Sequence, residues 1–495
     1  MYKSIIHFIK NETCEMEKFI KSFVSGEKDM DELSNYLSNR ANELVKSMIT
    51  EIFEQMDEDI RESTVRISEG WTVEQNNEVK KLMLPIGEIT YHRTRYTSKK
   101  TQKSICLLDE LIGVEGHQRI SLGAAAAILE EAIESSYRKG GLHASLTDQV
   151  SKQAVKNLVH SLPEEMPLLE GLKEKKKLKT LHIVADEDHV AAQFLVKKGD
   201  VRGDANGKVD NTLMPKLICV FEDIINESGE KSKSKRHRLI GKHYFCGIHK
   251  GSKNNEKLWQ QVSDYIATVY DIDYLDRIYI SGDGARWIKA GCEVLEKSKF
   301  VLDKFHMEKY INRAVVHLFD SASDVKSEIY EALYSKDRKS TREIFGRILA
   351  VTENENKYKE VEESLNYLMN NWEGITIRVD DAGAVWGCCA EGQISHMLSD
   401  RLSSRPMGWS ELGADRISKL RAYKGNGGKV IDLLKWKKDH QEKEERIQKK
   451  DEMVKDLRQK SAARNYAEPL QATIPGLEQE SMKWMRDIIN SKWVI

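Results

Sequence analysis

Two aspartates close short apolar runs: Asp186 ends LHIVAD (181–186), and Asp283 lies near the end of RIYISGDG (277–284). Carboxylates at strand ends project from the edge of a sheet. Two of them held close together are costly unless a cation neutralises them. Oxygen-only donors suit Mg2+ or Mn2+. A third acid from a later helix would complete a site for two such ions about 3.5–4 Å apart, one activating an attacking oxygen and one stabilising a leaving oxygen. Glu391, opening a helical stretch, is the choice for that acid. Each acid also has an ordinary role open to it. DEDHV offers Asp188 as an alternative first ligand, Asp283 in GDGA can cap a helix starting at Ala285, and glutamates open many helices. The three placements together carry the inference.

The elements that must position these acids can be read in order. LHIVAD, LICVFEDI (217–224) and RLIGKHYFCGI (238–248) read as strands, followed by a helix over 255–271. RIYISGDG is a fourth strand, ARWIKAGCEVLEK is helical, and KFVLD (299–303) is a fifth strand. Strand, strand, strand, helix, strand, helix, strand is the element order of an α/β RNase H-like core: a hairpin meander joined to right-handed crossovers. There the first and fourth strands are neighbours, so Asp186 and Asp283 would share one pocket. From 307 to about 375 the chain reads as helices, and a turn then leads into a helix near Glu391.

The N-terminal half reads differently. Residues 1–80 carry apolar positions at helical spacing, and 81–170 hold a predicted β-hairpin around the polar SKKTQKS. LTDQVSKQAVKNLVHSL then offers a helix-turn-helix with Ser151 as N-cap. Its outward Lys152, Gln153, Lys156 and Asn157 suit phosphates and base edges, although an ordinary amphipathic surface helix fits the same pattern. The catalytic core is expected over 176–306 and 376–420, the all-α insertion over 307–375, and a charged helical tail over 421–495. A net charge of −1 decides nothing about nucleic acid, since affinity needs local positive charge. Basic runs occur at Lys173 to Lys179, Lys231 to Arg238 and Lys435 to Lys450. Seven cysteines, including Cys388 and Cys389, show no C-x-x-C pair, which suits reduced thiols in the cytoplasm. No apolar run is long enough to span a membrane, and the first twenty residues do not read as a signal peptide.

At LHIVADEDHVAAQ, YISGDGARWIKAG, VLDKFH and CCAEGQISHMLSDRLSSRPMGWS the chain resembles the bacterial insertion-sequence DDE transposases of the Mutator-like superfamily, specifically the ISLre type. The resemblance covers most of the chain, LLDELIGVEGHQRIS included. It implies that Asp186, Asp283 and Glu391 form a metal-binding catalytic triad. It also implies that Asp303 and His306 match a C/D-x-x-H signature in which His306 contacts the scissile phosphate or orients a metal ligand. A histidine packed at a strand end is the competing reading, and Trp287 is as much a core candidate as a DNA-stacking one. Asp186 and Asp283 are 97 positions apart, Asp283 and Glu391 108, and the helical insertion accounts for the longer gap. The implied enzyme uses two Mg2+ (or Mn2+) ions to cut double-stranded DNA at its element's ends and joins the freed 3′-OH to target DNA. It would act as a homo-oligomer in a synaptic complex, nucleoid-associated when bound. The rivals are a catalytically silent, domesticated DNA-binding protein and another RNase H-like nuclease such as a Holliday-junction resolvase.

Overall fold

A computed structural model describes residues 3–168, 174–194, 211–227, 237–383, 385, 390–405, 407–441 and 443. Lys173, residues 231–236 of the second basic run, Cys388 and Cys389, and the tail beyond 443 lie outside the described residues. The described cysteines are free thiols. Residues up to Trp436 form one packed unit, to which the following description refers.

The N-terminal helices end with α1 (Met30–Glu62), opened by a reciprocal Asp29–Glu32 capping box, and a short Thr64–Glu69 helix. Gly70 stops that helix in a left-handed conformation (φ +86°). The chain then enters β1 (Trp71–Leu84), so the helical expectation to residue 80 is corrected: WTVEQNNEVKK is a largely exposed strand, its pairing with the next strand shifting register between Val73 and Glu78. β1 pairs antiparallel with β2 (Gly87–Ser98) through a two-residue turn at Pro85 and Ile86. The hairpin thus turns earlier than expected; SKKTQKS makes a second turn, into the short strand Ser104–Ile105. α1 packs on β2, burying Tyr91 and Ile89 against Phe53 and Met56. α2 (Leu122–Ala132) and α3 (Lys152–His160) follow, the latter capped by the Ser151 hydroxyl as expected.

The central sheet contains β3 (Thr180–Glu187), β4 (Lys216–Phe221), β5 (His243–Gly247), β6 (Arg277–Gly282) and β7 (Ser298–Leu302). Their spatial order is β5-β4-β3-β6-β7; the first three are antiparallel neighbours, and β3, β6 and β7 run parallel. The second and third strand-like runs each break in two. Asp223–Asn226 and His237–Ile240 form their own pair, bent away at Gly241, where a Cβ would lie 2.2 Å from the Glu222 side chain.

Alternation along LHIVAD sends Val184 to one face and Ile183 and Ala185 to the other. The first face is covered by α2, α3 and two later helices, α10 (Ala390–Ile394) and α11 (Glu411–Gly425); the second is covered by α4 (Gly251–Val269). Among the described residues, five α-helices lie between β7 and α10, besides a 3-10 turn at Val316–Ser321: α5 (Lys304–Val315), α6 (Ala322–Tyr334), α7 (Arg338–Val351), α8 (Glu355–Asn370) and α9 (Trp372–Asp380). They share a core of their own, into which Leu302 and Phe300 reach from β7. Fully burying each such side chain contributes about 1.5–3 kcal/mol, so many buried residues together fix the strand ends firmly enough to hold like charges close.

Candidate active site

β3, β6 and β7 finish at one edge of the sheet. Ser281 pairs with Val184 and Gly282 with Leu302, so extending the register sets Asp186, Asp283 and Asp303 level on three adjacent strands. The Asp303 amide donates to the Gly282 carbonyl at 2.9 Å, locking that row. The four sequence candidates Asp186, Asp283, Asp303 and His306 therefore converge.

Their environments differ. Burial raises the Asp186 carboxyl to about 6, with repulsion from Asp283 and Asp303 adding to it; the Glu187 amide and His306 oppose the rise. Asp303 is buried (1% exposed) and caps α5 by accepting from the Phe305 amide at 2.8 Å. Its other oxygen lies 3.2 Å from His306 Nδ1. That hydrogen bond, followed by the pull of the three aspartates, raises His306 above an ordinary histidine, against the effect of burial. Asp303 thus caps α5 and faces His306 at once. Asp283 does not cap the following helix, which starts at Arg286 with Ala285 as N-cap; it closes the turn ahead of it by accepting the Ala285 amide at 2.8 Å, and Gly284 beside it has φ +89°.

The insertion reaches this turn. Tyr367 of α8 donates its hydroxyl to the Asp283 carbonyl at 2.5 Å and stacks on Tyr310 of α5, ring centres 3.7 Å apart. Burial, then the nearby aspartates, push the Tyr367 phenol upward, so it stays a donor. Asn371 is buried at Gly284, its Oδ1 without a partner. An open cleft of about 520 Å³ lies beside Asp283, edged by Arg286, Lys289, Tyr367 and Asn371. Sequence reading missed these residues. GDGA carried a weak signal for Gly284, whereas Tyr367 and Asn371 lie more than eighty positions away with no local pattern to mark them.

Glu391 is exposed on α10, which packs against β3 and β4. It is not among the charges acting on Asp186 or His306. Among the described residues, no three His, Cys, Asp or Glu groups stand together in an arrangement that could hold a metal ion. Asp188 turns elsewhere: it is buried and accepts the Ser403 hydroxyl at 2.9 Å. Trp287 belongs to the core, 8% exposed, with the Lys216 ammonium 4.7 Å from its ring centre. On α3, Lys152, Gln153 and Asn157 are exposed and Lys156 half-buried, with Gln153 donating to Asn157 at 2.9 Å. The opposite face of α3, through Val155 and Val159, packs into the α2 and α11 layers. No described helix is long and apolar enough to cross a membrane.

Among solved structures, the Drosophila P element transposase strand transfer complex is 13% identical, over 64% of this chain and 82% of that one, with a TM-score of 0.18. The Mos1 transposase paired-end complex with left transposon end is 12% identical, over 55% and 81%, with a TM-score of 0.13. Likenesses this slight carry no weight here. UPF0236 proteins of Caldanaerobacter subterraneus subsp. tengcongensis are 33% identical over 423 residues. The alignments span 86% of this chain and 84% of one relative, 79% of another. One relative's name gathers several loci of that genome. The profile of the Uncharacterised protein family UPF0236 matches residues 26–441, and the chain belongs to that family.

Proposed function

We propose that the chain is an ISLre-type DDE transposase with an RNase H-like catalytic core, which cuts DNA at its element's ends and joins them to a target. The observation that carries this reading is the level row of Asp186, Asp283 and Asp303 with His306 at one sheet edge. The strand order, with three antiparallel neighbours followed by two parallel additions, is the order the RNase H-like reading requires. A relative whose name gathers several loci of one genome fits a gene that multiplies.

The chemistry of these acids suits a hard divalent cation, although they do not stand as a formed three-ligand set: carboxylates are oxygen donors, and burial, with Asp283 and Asp303 adding to it, raises Asp186 to about 6. Asp186 and Asp283 would hold the ions, with Glu391 brought in from α10. Bound there, Mg2+ or Mn2+ would neutralise the site and supply an activated oxygen for in-line attack on phosphorus. His306, whose proton the Asp303 hydrogen bond helps to hold, would donate to a phosphate oxygen. Tyr367 and Asn371 would hold the Asp283 turn in place. A homo-oligomer on double-stranded DNA would bring two ends together, and α3 would contribute to end recognition.

The direct test is cleavage and joining on DNA carrying the sequences that flank the gene, with Mg2+ or Mn2+ and with EDTA. Metal-dependent nicking at the ends supports the reading; specific binding without nicking under any metal points to a silent DNA-binding protein.

Two further outcomes are expected. The folded protein holds the Asp186 proton more tightly than the unfolded chain does. The cost of ionising it is therefore absent below about pH 4 and complete above about pH 6. Without metal, Asp186→Asn should raise stability at pH 7.5 by on the order of 1–2 kcal/mol, with the gain fading at pH 4. Thermal melts at both pH values in EDTA decide it, and equal melting of the two proteins would remove the strained carboxylate from the account. The second concerns Arg286 and Lys289 at the cleft. If they contact phosphates, replacing both by alanine weakens binding to any DNA sequence and lowers the salt-dependence slope by about two. An unchanged slope would mean that DNA does not run along this cleft.

A further inference from the structure

Glu391 stands on a helix with an irregular middle. α10 runs into a wide π turn at Ser395–Ser399 and returns to ordinary α turns at Asp400–Leu402, where the Ser403 amide reaches the Ser399 carbonyl at 3.1 Å. Returning from i+5 to i+4 bonding leaves one carbonyl without an amide donor, and an unpaired buried carbonyl is costly. Arg421 of α11, only 9% exposed, fills this gap. Its Nη2 donates to the His396 carbonyl at 2.7 Å and its Nε to the Met397 carbonyl at 2.8 Å. The remaining arm, Nη1, donates to the Ile133 carbonyl at 2.6 Å and to Glu134 at 2.8 Å.

A second tie lies at the end of the same helix. The Ser403 hydroxyl donates to both Asp188 oxygens, at 2.9 and 3.2 Å, and Asp188 sits two residues beyond Asp186. A third tie joins the Tyr244 hydroxyl of β5 to Gln393 at 2.5 Å.

We infer that Arg421 and the Ser403–Asp188 pair are positioning residues that fix the register of the Glu391 helix over the end of β3, so that Glu391 can join the acids of the sheet edge. This rests on the catalytic reading above. The fork geometry matters: one planar guanidinium serves two carbonyls on one helix and two further groups, the Ile133 carbonyl and Glu134, on another layer, which a lysine ammonium on a flexible stem cannot reproduce. Asp188, read from sequence as an alternative ligand, serves here as the anchor of the third acid.

The test uses the full chain as wild type, Arg421→Lys, Ser403→Ala, Ser403→Thr and Glu391→Gln. Mn2+ binding is followed without DNA by the EPR signal of the free ion. Single-turnover cleavage is measured at saturating end DNA, beside melting temperature. Arg421→Lys and Ser403→Ala should each weaken Mn2+ binding and slow cleavage by about 10–100-fold, with DNA affinity unchanged. Ser403→Thr, which keeps the hydroxyl, should restore both. Should Arg421→Lys fail to fold, the serine pair carries the test. Wild-type Mn2+ binding and cleavage in Ser403→Ala, with Glu391→Gln inactive, would overturn the positioning role and leave the catalytic reading standing. Wild-type cleavage by Glu391→Gln would instead remove Glu391 from the site, and the positioning role with it.

Discussion

Asp283→Asn is expected to bind end DNA like the wild type and to cut it at least about a thousandfold more slowly, a loss of ~4 kcal/mol of transition-state stabilisation. Asparagine is the informative replacement because Asp283 has two jobs. Its Oδ1 accepts the Ala285 amide, a turn-closing bond that an asparagine oxygen makes equally well. Its charge, at the centre of the row between Asp186 and Asp303, is what the chemistry would need and what asparagine removes. Losing one of three close carboxylates also relieves repulsion, so the variant should melt no lower than wild type. The measurement is cleavage of end DNA with Mg2+ or Mn2+, beside a binding curve and a melt. A variant that cuts at the wild-type rate would reduce Asp283 to a turn former and take the triad out of the account. A destabilised variant that neither binds nor cuts would show that the carboxylate shapes the turn rather than the chemistry.

Much of this site was legible in the sequence because it is built from local patterns. LHIVAD and RIYISG alternate as buried strands do, and an acid just past each must emerge at an edge. The strand order then makes those edges meet. Asp303 and His306 are marked in the sequence only by the resemblance to the C/D-x-x-H signature; in the structure they stand where a strand runs into a helix and leaves its capping residue beside the sheet's end. What was not legible depends on tertiary contact. The turn at Pro85 and Ile86 lost to the more polar SKKTQKS, because polarity marks turns only loosely and both segments do turn. Residues 71–80 were hidden by their charge, since a strand exposed on one face carries little apolar signal. α3 has the cap and the outward polar face expected of it, but its place in the sheet's helical cover could not be read from its own residues. Tyr367 bonds to Asp283, Asn371 abuts Gly284, Ser403 bonds to Asp188 and Arg421 reaches Ile133, each across more than eighty positions, and no periodicity marks them.

Gly284→Ala should be the most damaging single methyl added near the site. The backbone there has φ +89°, a region that costs a residue with a Cβ about 1–3 kcal/mol. The added carbon would also lie 2.2 Å from Asn371 Oδ1 and 2.8 Å from its Cγ. Asn371 cannot easily retreat: it is buried, and its amide nitrogen donates to the Tyr367 carbonyl at 2.9 Å. Overpacking of this kind adds about 1–3 kcal/mol, so a total loss of roughly 2–6 kcal/mol is expected. The functional effect should exceed what unfolding explains. Moving this turn by an ångström shifts Asp283 and breaks its carbonyl's bond to Tyr367, and misplacement on that scale costs about a hundredfold in rate. The two contributions separate in a double variant. Asn371→Ala removes the clash and leaves the strained φ, so Gly284→Ala with Asn371→Ala should recover part of the stability lost by Gly284→Ala alone. Denaturant unfolding of the four proteins measures that coupling, and cleavage per folded molecule measures the displacement of Asp283. Additive stabilities would mean that Asn371 does not press on Gly284, and wild-type cleavage by Gly284→Ala would mean that the turn does not set the position of Asp283.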